Sequence, residues 1–149
     1  MALDLRITDA VANAMMDALH TAVGNTGILR LYADAGTPDI PAGEPSAAAS
    51  HGTVLAELTM NAASFGNAAA STSYSRLTAG AITADSSANA SGDAVYFVLY
   101  DSAGTTALMQ GTVGTTGCDM TIDNATIASG AEVSCSAFTI DLPKGWATA

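Results

Sequence analysis

The sequence predicts a mainly β protein: an antiparallel β-sandwich or jelly roll of about eight strands, preceded by one N-terminal α-helix. Three observations predict it. Ala94 to Tyr100 is an unbroken apolar run rich in β-branched and aromatic side chains. Short alternating segments recur along most of the chain, separated by Gly, Pro, Asn, Asp and Ser turn signals. Helical periodicity occurs in a single stretch, Thr8 to Val23. The expected division is a helix or arm over residues 1–24 and a β-sandwich domain over 25–149.

In the helical stretch, Val11, Met15, Leu19 and Val23 recur at i+4, with Ala12 and Met16 beside them. Thr8 suits the N-cap, Asp9 complements the helix dipole, and Gly24 suits a left-handed C-cap. The stripe needs a surface to pack on, either the domain's own sheet or a partner subunit. Ile28 to Ala33 reads as a strand with Leu29 and Leu31 on one face and Ile28, Arg30 and Tyr32 on the other. Asp34 to Gly52 follows. Its prolines Pro38, Pro41 and Pro45 forbid a regular ladder or helix, and a loop of this length is commonly functional or disordered. With Ile40, they make it a candidate intersubunit contact.

Thr53 to Met60 reads as a strand alternating Val54, Ala56, Leu58 and Met60 with Leu55, Glu57 and Thr59. Phe65 is an isolated apolar anchor, and Thr72 to Thr83 reads as one bulged strand or two short ones, broken at Gly80. The apolar run is expected to place Val95, Phe97 and Leu99 on one face and Ala94, Tyr96, Val98 and Tyr100 on the other, in a strand covered on both sides or with one face in a core and one against a partner. Asp101 to Gly104 turns the chain into a returning strand over Thr105 to Val113. Cys118 to Ile122 alternates with outward acids, and Ile127 is another anchor. Glu132 to Leu142 carries two phases, Val133–Cys135–Ala137 and then Phe138–Ile140–Leu142, which predicts a bulge near Ala137. Trp146, beyond Pro143, is expected to cover the core's end or to anchor a contact.

Composition narrows the function. Charged residues are 12%, well under the roughly 25% of an ordinary soluble domain. Net charge is −10, and the basic residues are Arg6, Arg30, Arg76 and Lys144 alone. Nucleic-acid binding needs clustered cations, so neither nucleic acid nor an anionic membrane is an expected partner. No stretch approaches the ~18 apolar residues of a membrane span. Asp4 and Arg6 interrupt the N-terminus before any long apolar run, so no secretion signal is expected, and assembly in a cytoplasm is. Cys118 and Cys135 are expected as small core fillers, with a disulfide between them as the alternative.

No enzymatic constellation stands out. His20 and His51 have no local partner, no Gly-x-Ser-x-Gly elbow occurs, and the only lysine lies outside any phosphate-loop pattern. Asp101, Asp119 and Asp123 are calcium-type ligands or simply solvated acids. The expectation is a protein without catalytic residues, cofactor or metal.

Across most of positions 5 to 145 the chain resembles small virion proteins of tailed bacteriophages. The resemblance rests on the helix leading into Ile28-Leu-Arg-Leu-Tyr32, on Gly52-Thr-Val-Leu-Ala-Glu-Leu58, and on Phe65-Gly66. Ala94–Asp101 with Gly104, Gly111-Thr-Val-Gly114 and Ile140-Asp-Leu-Pro143 complete it. Head decoration, or cement, proteins are the most similar. The resemblance implies a dimer or trimer on the outer surface of the virion head, bound to the major capsid protein. The segment Asp34 to Gly52 departs from the pattern, being longer and richer in proline. The interface candidates are Val11, Met15, Leu19, Val23, Pro38, Ile40, Pro41, Pro45 and Trp146. A tail or tail-fibre component is one alternative. A carbohydrate- or receptor-binding module using Tyr74, Trp146 and outward acids is the other.

Overall fold

The computed structural model describes residues 5–33, 45 and 52–145. The fold is mainly β with one N-terminal helix, and its sheets curl into a half-barrel. Helix α1 spans Asp9–Val23. The strands are β1 (Ile28–Ala33), β2 (Val54–Met60), β3 (Ala69–Ala70), β4 (Tyr74–Thr78), β5 (Ile82–Thr83), β6 (Gly92–Tyr100), β7 (Ala107–Gly114), β8 (Met120–Thr121), β9 (Thr126–Ile127) and β10 (Thr139–Pro143). A seven-stranded sheet has the order β5-β2-β1-β6-β7-β8, with β9 on the start of β6; a three-stranded sheet has the order β10-β4-β3. All pairings are antiparallel except β7 with β8.

The long apolar run becomes the centre of the large sheet, where β6 lies between β1 and β7. Phe97 and Leu99 point into the main core with Leu29, Leu31, Leu58 and Met60. Tyr96, Val98 and Tyr100 join Tyr32 in a second buried cluster on the opposite face. Both faces are thus covered, which is why the strand carries apolar groups on both.

The predicted faces slip at one level of the sheet. Tyr32 pairs with Tyr96, but Ala33 pairs with Ala94, so Val95 is an extra residue. Ala94 therefore falls in the main core and Val95 packs on the tyrosine cluster, the reverse of the alternation expected for them. On the other flank of β1, Leu31 pairs with Ala56 and Tyr32 with Val54, leaving Leu55 as a second bulge. Its carbonyl accepts the amide of Asn89 at 2.7 Å. Two bulges at the same level on either side of one strand raise the local twist, the deformation that curls a sheet.

Helix α1 forms as its caps predict. Thr8 Oγ1 accepts the Val11 amide at 3.3 Å, and Gly24, at φ 76°, donates its amide to the His20 carbonyl. The helix packs across the small sheet and buries Ala12, Met16 and Val23. Its polar side chains also face the body. Asn13 Oδ1 accepts from the buried Ser75 hydroxyl at 2.6 Å, and Asp17 Oδ1 from the Ala68 amide at 2.9 Å. The helix is therefore docked on the body from Asp9 to Val23 and shares the main core through Met16 and Val23.

The expected apolar stripe divides. Val11 and Met15 are 48% and 53% exposed, Leu19 is partly buried against the core, and Val23 is fully buried. Four-residue spacing overshoots a 3.6-residue turn by about 40° per step, so Val11 and Val23 stand about 120° apart. Ala12, Met16, Leu19 and Val23, spaced four, three and four, keep to one face instead.

The two-phase segment Glu132 to Leu142 is not one bulged strand. Val133 bridges Asp85, and β10 begins only at Thr139, paired with β4. The phase switch marks a change of partner. Likewise Thr72 to Thr83 becomes β4 and β5, which belong to different sheets.

Candidate functional site

Three surfaces carry features beyond ordinary packing. The first is the outward face of α1. Beyond Asp9 in the first turn, which is exposed but paired with Lys144, its exposed positions are Ala10, Val11, Ala14, Met15, Ala18, Thr21 and Ala22, none of them charged. Asn13, Asp17 and His20, which would normally solvate such a face, turn inward to bond Ser75, Ala68 and the Gly66 carbonyl. An exposed helix face with its polar groups turned toward the protein is the reverse of ordinary amphipathicity. Of the residues expected at an interface, Val11 and Met15 lie on this face, Leu19 borders the core, and Val23 is unavailable to a partner. Pro38, Ile40, Pro41 and Trp146 lie outside the described residues, and Pro45 is half-buried.

The second is a cleft of about 400 Å³ between β7 of the large sheet and β10 of the small one. Phe97 and Phe138 line it, edge to face at 5.2 Å between centroids. Gly111 and Asp119 line the β7 side and Thr139, Ile140 and Asp141 the β10 side. A Cβ on Gly111 would stand 2.8 Å from Phe97 Cε1 and 3.0 Å from Asp119 Oδ2, so glycine here lets ring and carboxylate approach. Asp119 Oδ2 accepts the Thr112 amide at 2.8 Å and hydroxyl at 2.7 Å. Opposite, Asp141 receives the Arg76 guanidinium as a fork, with both bonds at 2.6 Å, and this holds the guanidinium firmly protonated.

The third is the tyrosine face. Tyr32 stacks on Tyr96 at 5.0 Å, and its hydroxyl meets that of Tyr100 at 2.9 Å. Tyr96 accepts the Gly52 amide at 2.7 Å. Arg30 lies over the Tyr100 ring at 4.5 Å while its Nε donates to Glu57. Burial and then the bond to Tyr100 push the Tyr32 phenol well above its ordinary value, so Tyr32 keeps its proton at physiological pH.

The remaining sequence candidates serve local structure. Asp101 accepts the amides of Thr105 and Thr106, and Asp123 accepts the Ser134 hydroxyl. Among the described residues no group of three His, Cys, Asp or Glu side chains is placed to hold a metal ion. Cys118 and Cys135 are free thiols rather than a disulfide. Cys135 donates to the Thr121 carbonyl, and burial pushes its thiol upward. His51 lies outside the described residues. Sequence reading missed Lys144: it is only 2% exposed, and its ammonium donates to Asp9 Oδ1 at 2.5 Å and to the Ser71 carbonyl. No described helix is long and apolar enough to cross a membrane. The chain matches no family model, no characterised protein and no solved structure.

Proposed function

We propose that the chain is a non-enzymatic structural protein of a tailed-bacteriophage virion, a decoration or cement protein that binds the outside of the head and stabilises the lattice of the major capsid protein. The outward face of α1, uncharged beyond Asp9, carries this reading, since Val11 and Met15 stand exposed among alanines while the neighbouring polar residues bond inward. Covering what remains exposed of Val11 and Met15, 48% and 53%, supplies about 1 kcal/mol each before ordering costs. The flanking alanines allow a partner's backbone to come close. The resemblance of its motif order to phage virion proteins supports the class. A net charge of −10 suits the outside of a shell better than contact with packaged DNA. The partners are then the major capsid protein and further copies of this chain as a dimer or trimer. The place of action is the head surface after synthesis in the host cytoplasm.

A ligand that binds only the assembled lattice stabilises it by mass action. Heads lacking this protein should therefore assemble but rupture at lower temperature than complete heads. Adding back the protein should restore heat resistance, and the double variant Val11→Asp, Met15→Asp should not. If depleted heads survive heating as well as complete ones, the cement role is wrong. Density at the tail rather than the head in electron micrographs would transfer the reading to a tail component.

A further inference from the structure

We infer that the cleft between β7 and β10 is a binding site for an extended peptide segment bearing basic residues, which adds to the edge of β10. This inference is independent of where in a virion the protein acts. Among the described residues β10 is an edge strand, with β4 on one side only. The Ala79 amide donates to the Phe138 carbonyl, and the Lys144 amide to the Ser73 carbonyl. In an antiparallel ladder, residues of that phase spend their backbone groups on the partner, and residues of the other phase turn theirs away. Thr139 and Asp141 are of the other phase, and so direct N–H and C=O groups away from β4 on the strand that lines the cleft. Pro143, which has no N–H, shares their phase, so the β4 ladder loses nothing to it.

A backbone edge beside an aromatic-lined groove is the arrangement that accepts an added strand: main-chain bonds give affinity and the groove takes alternate side chains. Phe97 and Phe138 line the floor, with the Phe97 ring packed close against Gly111, and the volume lies within the roughly 300–1,000 Å³ of ligand-sized sites. Charge selects the occupant. The exposed Asp119 stands on one wall, Asp141 on the other is already matched by Arg76, and the whole molecule carries −10. A lysine or arginine beside Asp119 is attracted. A second copy of this chain is poorly supplied to fill this cleft, since of its four basic residues Arg30, Arg76 and Lys144 are already paired with its own acids.

The test uses the full chain and two sets of short blocked peptides, one alternating valine, isoleucine or phenylalanine with lysine, the other with glutamate in place of lysine. The expected result is binding by lysine peptides, with shifted amide resonances for Thr139 and Asp141 and hydrogen exchange there slowed by roughly tenfold or more. Thr139→Pro removes an outward N–H without touching the β4 ladder. It should keep the far-UV spectrum and melting temperature and lose roughly tenfold in affinity. Asp119→Asn, which retains an acceptor for Thr112, should weaken the lysine peptides several-fold and so tests the charge separately. The inference is overturned if no lysine peptide binds at millimolar concentration, if binding leaves the Thr139 and Asp141 amides unmoved, or if glutamate peptides bind equally. It is overturned also if sedimentation finds a dimer that protects those amides without peptide, since the occupant would then be a second copy.

Discussion

The two faces of β6 are buried to the same degree but by different means. On the inner face, Phe97 and Leu99 meet Phe138, Leu29 and Leu31, hydrocarbon surfaces with no bonding requirement. On the outer face, Tyr32, Tyr96 and Tyr100 bring hydroxyls into a buried layer, and each must be matched there. The inner face is sensitive to volume, because a lost group leaves a cavity. The outer face is sensitive to partners, because a lost bond leaves a desolvated polar atom. A single strand thus holds one layer by shape and another by directed bonds.

The largest expected effect is on the inner face. Phe97→Ala should lower stability by about 3–5 kcal/mol in denaturant titration. Tyr96→Phe keeps the ring but strips the acceptor from the Gly52 amide, and should cost about 1–3 kcal/mol. If Tyr96→Phe proves the more damaging of the two, the contrast between faces is wrong. Alkali sharpens it further. The folded Tyr32 phenol titrates above its unfolded value of 10.0, so the native state holds a proton that the unfolded chain has released. Stability is full below pH 10 and should fall as pH climbs from there toward the folded value. Tyr32→Phe should show a shallower alkaline loss, measured as melting temperature against pH. An equally steep loss would place the alkaline sensitivity outside the outer face.

The smallest effect belongs to neither face. Asp101, at the end of β6, accepts the amides of Thr106 and Thr105, and these hold its carboxyl below the usual range. Its contribution is present above the unfolded value near pH 4 and lost as pH falls through the lower folded one. Asp101→Ala should therefore lower the melting temperature slightly at neutral pH and make no difference in strong acid. A difference that persists in acid would mean that the turn depends on something other than this carboxylate.

Elements with sustained local periodicity were legible in the sequence. The helix, β1 and β6 appear within two residues of their expected bounds, because caps and alternation are local signals. The faces of Ala94 and Val95 were not legible, since a bulge is imposed by the neighbouring strand and leaves no mark in the residues themselves. The two-residue strands β3 and β9 are too short to show a period. The exposed positions Val11 and Met15 were visible as apolar residues, but that they face outward depends on how the helix sits on the small sheet. The cleft was invisible for the same reason. Phe97 and Gly111 face each other across the β6–β7 ladder and Asp119 bonds Thr112 beside them, but Phe138 leads into a strand of the other sheet, and nothing local to these segments announces that meeting.

The clasp of Lys144 on Asp9 joins positions 135 residues apart. On a ribosome, where the chain emerges from its N-terminus, this pair cannot form until nearly all of the described chain has been made. The helix meets Gly66, Ala68 and Ser75 earlier, so it can settle on β4 first. Until β10 arrives, β4 presents an unpaired edge, the kind of surface to which other nascent chains can add. The order of synthesis therefore makes β10 the last strand of the small sheet to arrive, and the delay between β4 and β10 is the interval in which the half-finished sheet is open to wrong partners.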